Sequence, residues 1–466
     1  MKPETPQDIL QKLGLPMPPP PIVPLHGVPS ANEPIQLYEG PVAVGIGDKE
    51  VLIAGTVAWE WHPHPRVMVR GTTAASLRVD VRDATISIPS LAMRGTCLLS
   101  VGMSFEHDSG PSYSVRALMH DPFCGGDLGK AVALRAYLPN FPEMIGSPVA
   151  RVVGESLEVQ RVRITLNGDP WQVVLDQVPQ ATTNRNALRS TGGFAVTHVC
   201  EIRRVDGQHF EQADVEQLEA DLHLYFSFLR GHYCSPVLLE GVDSTGASCW
   251  RSWSYRPMES AKTVWEWLPV FEPAAARQLF PGFMARRADS QWRQSIEAAV
   301  RWYLSGNTFA GGRAGAIVLA IAGLELLAWE YLADPRLKKQ RGQSRQGTSE
   351  KVRALLQWAG IPAAIPAGLT ALAAACPGHD AARALIDVRN GIAHPEPRYA
   401  HLRSDEVLWD SWRLALELLE LAILRLSDYS GKFHSRVEGN RFAADVTSVP
   451  WMVGSETQPS PDGAES

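Results

Sequence analysis

The sequence predicts an α+β multidomain chain: an N-terminal antiparallel, β-rich, sandwich-like part followed by a C-terminal all-α bundle. Three observations carry this. From about residue 35 to 210, apolar residues recur with period two in many short runs, the mark of half-buried strands. From about 288 onward they recur three and four apart, the mark of helices with one apolar face. Gly, Pro, Asp and Asn punctuate the first region, and no short repeat of fixed period appears in either.

The 466 residues allow two or three domains, and a hydrophobic share of 45% supports sizeable cores. The formal net charge of -6 argues against a broadly basic nucleic-acid coat and leaves room only for local basic patches. Six cysteines, at 97, 124, 200, 234, 249 and 376, form no C-x-x-C pair and are expected to be reduced thiols. The N-terminal MKPETPQDILQKLGLP has no apolar run of signal-peptide type. The most apolar stretch, Ala314 to Trp329, is interrupted by Glu325. A cytoplasmic protein, not inserted in a membrane, is the expectation.

In chain order, residues 1–34 contain PMPPPPIVP. Proline fixes φ and removes donors, so an extended, flexible tail is expected, with a partner-binding peptide as the functional alternative. Residues 35–210 form the β-rich region, with LRVDV (Leu77, Val79, Val81) and VRITL (Val162, Ile164, Leu166) as its clearest alternations. Residues 211–287 read as a connecting region: a helix over 214–231 started by Asp214, then a hairpin turning at Asp243-Ser244-Thr245-Gly246. The aromatics Trp250, Trp253, Tyr255, Trp265 and Trp267 there are either packing residues or a stacking platform for bases. The helical region spans 288–440, with Ser290 as the first cap, Gly311-Gly312 as a break, and helices near 313–332, 348–359, 365–375, 379–393 and from Ser404 to Gly431. Residues 441–466 read as a mostly disordered tail.

The sharpest chemical signal is DVRNGIAHP, residues 387 to 395. Asn390 and His394 are four apart and share a helix face, and Arg389 lies one position earlier. Arginine grips a phosphate through its planar fork of donors; histidine moves a proton near neutral pH. Asparagine can orient either group or an attacking hydroxyl. The set suits RNA cleavage by the RNA's own 2′-hydroxyl, which needs a base, an acid and charge stabilisation. The competing structural reading is a helix-end ion pair with a capping histidine. Glu325 either orients Arg389 or faces solvent, and Asp387 either pairs with Arg389 or a lysine or is solvated. Lys338, Lys339 and Arg341, in a basic connection with Arg336 and Arg345, are candidates for RNA-phosphate contacts or a solvated loop.

His62 and His64 have spacing that a metal can use, but no acidic or cysteine partner is near in sequence, and no metal or other cofactor is expected. His120, Asp121 and Cys124 are read the same way. No GxxxxGK[ST] loop is present, which excludes the usual NTPase signature.

With its helical setting, the Arg389-Asn390-x-x-x-His394 spacing resembles the HEPN family, whose pattern is an arginine, a polar residue and a histidine four to six positions on. The ending Asp428-Tyr429-Ser430-Gly431-Lys432-Phe433 resembles that of many bacterial members. The β-rich front followed by Leu229-Arg230-Gly231 resembles, more loosely, ApeA-type anti-phage proteins. The resemblance implies a metal-independent endoribonuclease acting as a homodimer in phage defence or abortive infection. In that setting the β-rich domain would meet a phage-derived trigger or regulator. The family also contains non-catalytic scaffolds, RNA-binding members and toxins of toxin–antitoxin pairs.

Overall fold

The computed structural model describes residue 12 and residues 16–75, 84–106, 110–120, 122–153, 156–272, 274–337, 347–394, 396–438 and 445–452. The LRVDV alternation, most of the basic connection after Leu337 and the C-terminal tail lie outside them. The chain divides into two compact units, one built mainly from residues up to Lys262 and one from Thr263 onward. The second unit also takes in Leu166–Asp169 and Leu224–Tyr233.

In the first unit, fourteen strands of the described residues form one antiparallel sheet. They are β1 (Ile35–Ile46), β2 (Lys49–Glu60), β3 (Arg66–Thr73), β4 (Ala84–Ile88), β5 (Met93–Glu106), β6 (Gly110–Met119) and β7 (Phe123–Gly126). There follow β8 (Ala133–Pro139), β9 (Ser147–Val153), β10 (Ser156–Gly168), β11 (Trp171–Gln177), β12 (Val196–Arg204), β13 (Val237–Val242) and β14 (Ser248–Trp253). The expected sandwich is not what forms. The short strand β4 pairs with β1 on one side and β5 on the other, so β1-β2-β3-β6-β5-β4 closes into a barrel-like ring. Ring closure removes the open edges a sandwich would keep. Val42, Val44, Val57, Trp59, Val69, Ile86, Val115 and Ala117 fill its buried face. From β5 the sheet continues as β7-β14-β13-β8-β12-β11-β10-β9.

The hairpin assigned to a connecting region is part of this sheet. Strands β13 and β14 insert between β8 and β7, and Asp243 holds the turn by accepting from the Thr245 and Ala247 N–H groups. Trp250 and Trp253 are buried as packing residues, whereas Tyr255 is exposed. Two helices complete the region. The first, α1 (Ala181–Thr191), was not expected from the sequence; the second, α2 (Gln212–Arg230), buries Val215, Leu218, Leu222, Tyr225, Phe226 and Leu229 as anticipated. Asp214 sits inside its first turn, accepting from Arg204, and so does not mark its start.

The proline-rich segment differs most from expectation. Over the described residues from Pro16 it is extended, as its prolines dictate, but it is fastened down. The Ala150 N–H donates to the Pro19 carbonyl (3.0 Å), Arg163 Nη2 to the Pro20 carbonyl (2.8 Å), and the Ile22 N–H to buried Asp176 (2.7 Å). The Tyr137 hydroxyl accepts from the His26 N–H and donates to the His26 carbonyl, and the His26 ring meets Glu240 at 2.5 Å. The Ala150 contact also covers part of β9, the terminal strand of the sheet.

The helical unit contains α3 (Ala274–Ala288), α4 (Arg293–Asn307), α5 (Gly312–Ala333), α6 (Thr348–Ala359), α7 (Thr370–Ala375), α8 (Ala381–Ala393) and α9 (Asp405–Leu426). Helix α3 was not foreseen, because Pro281 lies inside it and a proline normally ends a helix. The first cap is also displaced: Trp292, not Ser290, precedes α4. Gly311 and Gly312 both have positive φ and make the break before α5. Helix α9 starts at Ser404, whose hydroxyl accepts from the Val407 N–H. It ends at Leu426 with Asp428 in the left-handed region, several residues before the glycine expected to stop it. Among the described residues, α5 passes a length and hydropathy test for a bilayer span. Half of its most apolar window is nevertheless buried, and it packs on α4 and α9 as a core helix.

Candidate functional site

Helix α8 begins where the Asp380 carboxylate accepts from the Arg383 N–H (2.8 Å). Burial raises the pKa of Asp380, but the Arg353 guanidinium and that N–H outweigh it and hold the carboxyl below its usual range. Leu385, Val388 and a run of alanines form the buried face. At the other end, His394 leaves the helix with an extended backbone while its N–H still donates to the Asn390 carbonyl (2.7 Å). The Glu396 N–H turns back to the His394 carbonyl (2.7 Å), so the histidine sits on a tight turn.

The sequence reading missed what holds this turn. Arg403 donates from Nε to the Gly391 carbonyl (3.0 Å) and from Nη2 to the Glu396 carbonyl (3.1 Å). The first bond satisfies a carbonyl at the negative end of α8, and the second ties the following turn to it. Tyr399 packs on Gly391, where a Cβ would lie 3.0 Å from the Tyr399 Cβ. Tyr399 and Arg403 both belong to the 3-10 segment Pro397–Arg403. The available signal was a basic residue shortly after a helix-ending proline.

Arg389 reaches across to α5, where Nη2 pairs with the Glu325 carboxylate, and Nη1 donates to the Asn390 side-chain oxygen (3.1 Å). Side-chain exposures of 26% for Arg389 and 23% for Glu325 leave the pair at the surface. His394 is exposed, and among the described residues no hydrogen bond joins its ring to Arg389. The structure therefore connects Arg389, Asn390 and Glu325 directly and places His394 one turn further on. Around Glu325, α5 presents Val318, Leu319, Ala322 and Leu326 half-buried and Trp329 at 52% exposure.

Asp387 is a correction. It pairs with neither Arg389 nor a lysine, and it is buried rather than solvated. Its carboxylate accepts from Arg383 Nε (2.8 Å), with His379 Nδ1 at 3.5 Å. Two residues along a helix turn through about 200°, so Asp387 and Arg389 point to opposite sides. Lys338, Lys339, Arg341 and Arg345 lie outside the described residues. Arg336 is committed to Asp334 and Asp289, each at 2.7 Å. His62 bonds to Asn32 (3.1 Å), and no three metal-ligating side chains cluster among the described residues.

Residues 128–264 match the YopA central domain and residues 289–447 the YopA C-terminal domain. The first match begins after β7 and so leaves out the barrel-like ring; the second contains every residue of the candidate site. Over 436 residues the chain is 23% identical to the SPbeta prophage-derived uncharacterized protein YopA of Bacillus subtilis (strain 168), covering 91% of this chain and 96% of that protein. No solved structure matches the chain.

Proposed function

We propose that the helical unit is a HEPN-type endoribonuclease that cuts RNA without a metal, with Arg389, Asn390 and His394 as its catalytic residues. One observation carries the reading: a partly exposed arginine, fixed by Glu325 and Asn390, stands about one turn from an exposed histidine on a turn clamped by Arg403. Arg389 has donors left for a phosphate after these two contacts. His394 takes the proton from the 2′-hydroxyl as it attacks the adjacent phosphorus, or gives one to the departing 5′-oxygen. A 2′,3′-cyclic phosphate and a free 5′-hydroxyl result. A single histidine cannot do both at once. The site is therefore proposed to be completed by a second copy of the chain, packed on the half-exposed apolar face of α5 around Glu325.

In this reading the β-rich unit restrains the nuclease or receives a phage-derived trigger. The prophage-derived relative supports a phage setting, for defence, abortive infection or a toxin–antitoxin pair. The second reading is a non-catalytic scaffold or RNA-binding module, favoured by the Glu325–Arg389 pair, which also serves to pin α8 to α5. Expression of the wild type beside His394→Ala separates the two. The nuclease reading expects growth arrest and fragmented cellular RNA from the wild type alone. Identical growth and intact RNA in both, with or without phage infection, would leave the scaffold.

A further inference from the structure

One turn of α5 beyond Glu325, the helical unit holds a second cation with no anion of its own. Lys351, near the start of α6, is only 8% exposed. Its ammonium sits over the Trp329 ring of α5, 3.4 Å from the centroid, and has no hydrogen-bond or ion-pair partner among the described residues. Trp329 itself is 52% exposed. We propose that Trp329 and Lys351 form a nucleotide subsite beside Arg389, the indole stacking one base of a bound RNA strand and the ammonium taking the phosphate next to the scissile one. The proposal rests on the nuclease reading for what happens to the strand, not for its binding.

The first argument is charge. A mostly buried ammonium is costly without a counter-charge, and an indole face offsets only part of that cost. The start of a helix adds to it, because that end is already positive. The carboxylates of the surrounding helices are committed elsewhere. On α5, Glu325 pairs with Arg389 and Glu330 accepts from the Ser295 hydroxyl (2.9 Å). On α6, Glu350 accepts from the Gly347 N–H (2.8 Å). On α8, which packs on both, Asp380 pairs with Arg353 and Asp387 with Arg383. The counter-charge therefore comes from a bound anion.

The second argument is the ring. An exposed aromatic face beside a cation meets both needs of a single strand, a surface for a base and a charge for its phosphate. The placement fits one strand running over both cations. Trp329 lies four residues beyond Glu325, on the same face and about 6 Å further along the helix axis. Arg389 from α8 and Lys351 from α6 thus meet α5 at successive turns, in step with successive nucleotides. Val318, Leu319 and Ala322, toward the start of α5, remain for the second copy.

Fluorescence anisotropy of a short labelled oligoadenylate tests the subsite, with full-length His394→Ala protein so that the probe stays intact. Saturable binding is expected. Lys351→Met, which keeps the apolar stem, should weaken it about tenfold, the worth of one charge-assisted contact. It should also reduce the slope of log affinity against log salt by about 0.7, as expected for one phosphate on a single strand. Trp329→Leu should weaken binding about tenfold as well, the worth of one stacked base, with the salt slope unchanged. A loss of packing alone would not separate the two slopes. If Trp329→Leu does not fold, Lys351→Met and its slope decide. This pattern without any cleavage by the wild type would keep the subsite and remove the nuclease reading. Absence of oligoadenylate binding, or affinity and slope unchanged in Lys351→Met, overturns the subsite whether or not the wild type cuts RNA.

Discussion

Two arginine–glutamate pairs in the helical unit show how the same chemistry serves two ends. Arg436 and Glu420 are both 0% exposed. Arg436 donates to Glu420 from Nε (2.8 Å) and Nη2 (2.6 Å), and Tyr303 adds a hydroxyl donor to the same carboxylate (2.8 Å). The guanidinium lies near the Tyr303 and Trp412 rings, and Nη2 also reaches the Trp265 carbonyl. Both groups are sealed from solvent, and although Arg436 Nη1 has no hydrogen-bond partner among the described residues, no outside ligand can reach it. Arg389 and Glu325 have a quarter of their side chains in solvent and a histidine nearby with no bonded partner for its ring among the described residues. The first arrangement is closed and structural. The second is held in place yet open, as a phosphate clamp must be.

The largest expected effect falls on activity. His394→Ala should lower RNA cleavage by about a hundredfold to ten-thousandfold, the usual worth of a general acid–base residue. Arg389→Ala should do the same while costing about 1 kcal/mol or less in a thermal melt, because an exposed pair contributes little to stability. The closed pair inverts this. Arg436→Ala strands a buried carboxylate and should cost about 3–5 kcal/mol, read as a large drop in Tm. Should Arg389→Ala prove as damaging to the fold as Arg436→Ala, the distinction between the pairs collapses.

A smaller effect comes from Glu417, next to the closed pair. Its carboxylate accepts from the Ser435 hydroxyl (2.8 Å) and from the Arg436 and Val437 N–H groups. Burial outweighs these donors and pushes its pKa up to about 7. A carboxyl with a raised folded pKa takes up protons in the folded state first. Its contribution is therefore fully present below the unfolded value near 4.5 and is lost as pH rises through about 7. Melts from pH 5 to 8 should show stability declining with pH, and Glu417→Gln should flatten that slope. An unchanged slope would mean that the donors win and the group stays charged.

The smallest effect on activity is a control on the geometry of α8. Arg383→Ala removes the partner of Asp387 on the side away from Arg389. It leaves the buried Asp387 carboxylate with His379 at 3.5 Å, so it should cost about 1–3 kcal/mol and leave cleavage unchanged. Loss of cleavage there would show that the site extends around the helix.

The helical unit was legible because its faces repeat every three to four residues. Trp292 just before α4, Ile296, Val300 and Tyr303 within it, and Trp412, Leu416, Leu419 and Ile423 of α9 all proved buried. Helix α3 was not legible, since Pro281 argues locally against what Leu279, Phe280 and Phe283 gain by burial. In the first unit, alternation revealed strands but not their neighbours. Period two says which face is buried and nothing about whether β4 meets both β1 and β5. The prolines gave the extended shape of residues 16–34, while the groups that fasten it, Tyr137, Asp176 and Glu240, lie more than a hundred residues away. At the site, the carboxylate on the apolar helix α5 pointed to Arg389 because an unpaired charge there is costly. Asp387 misled because neighbours in sequence are not neighbours around a helix.

The most direct test is cleavage of a defined single-stranded RNA by purified full-length protein in excess EDTA, beside His394→Ala, with the ends of the products identified. The account predicts cuts that persist in EDTA, carry 2′,3′-cyclic phosphate or its hydrolysis product, and vanish in His394→Ala. Cleavage that needs magnesium, or that His394→Ala performs as well as the wild type, would contradict it.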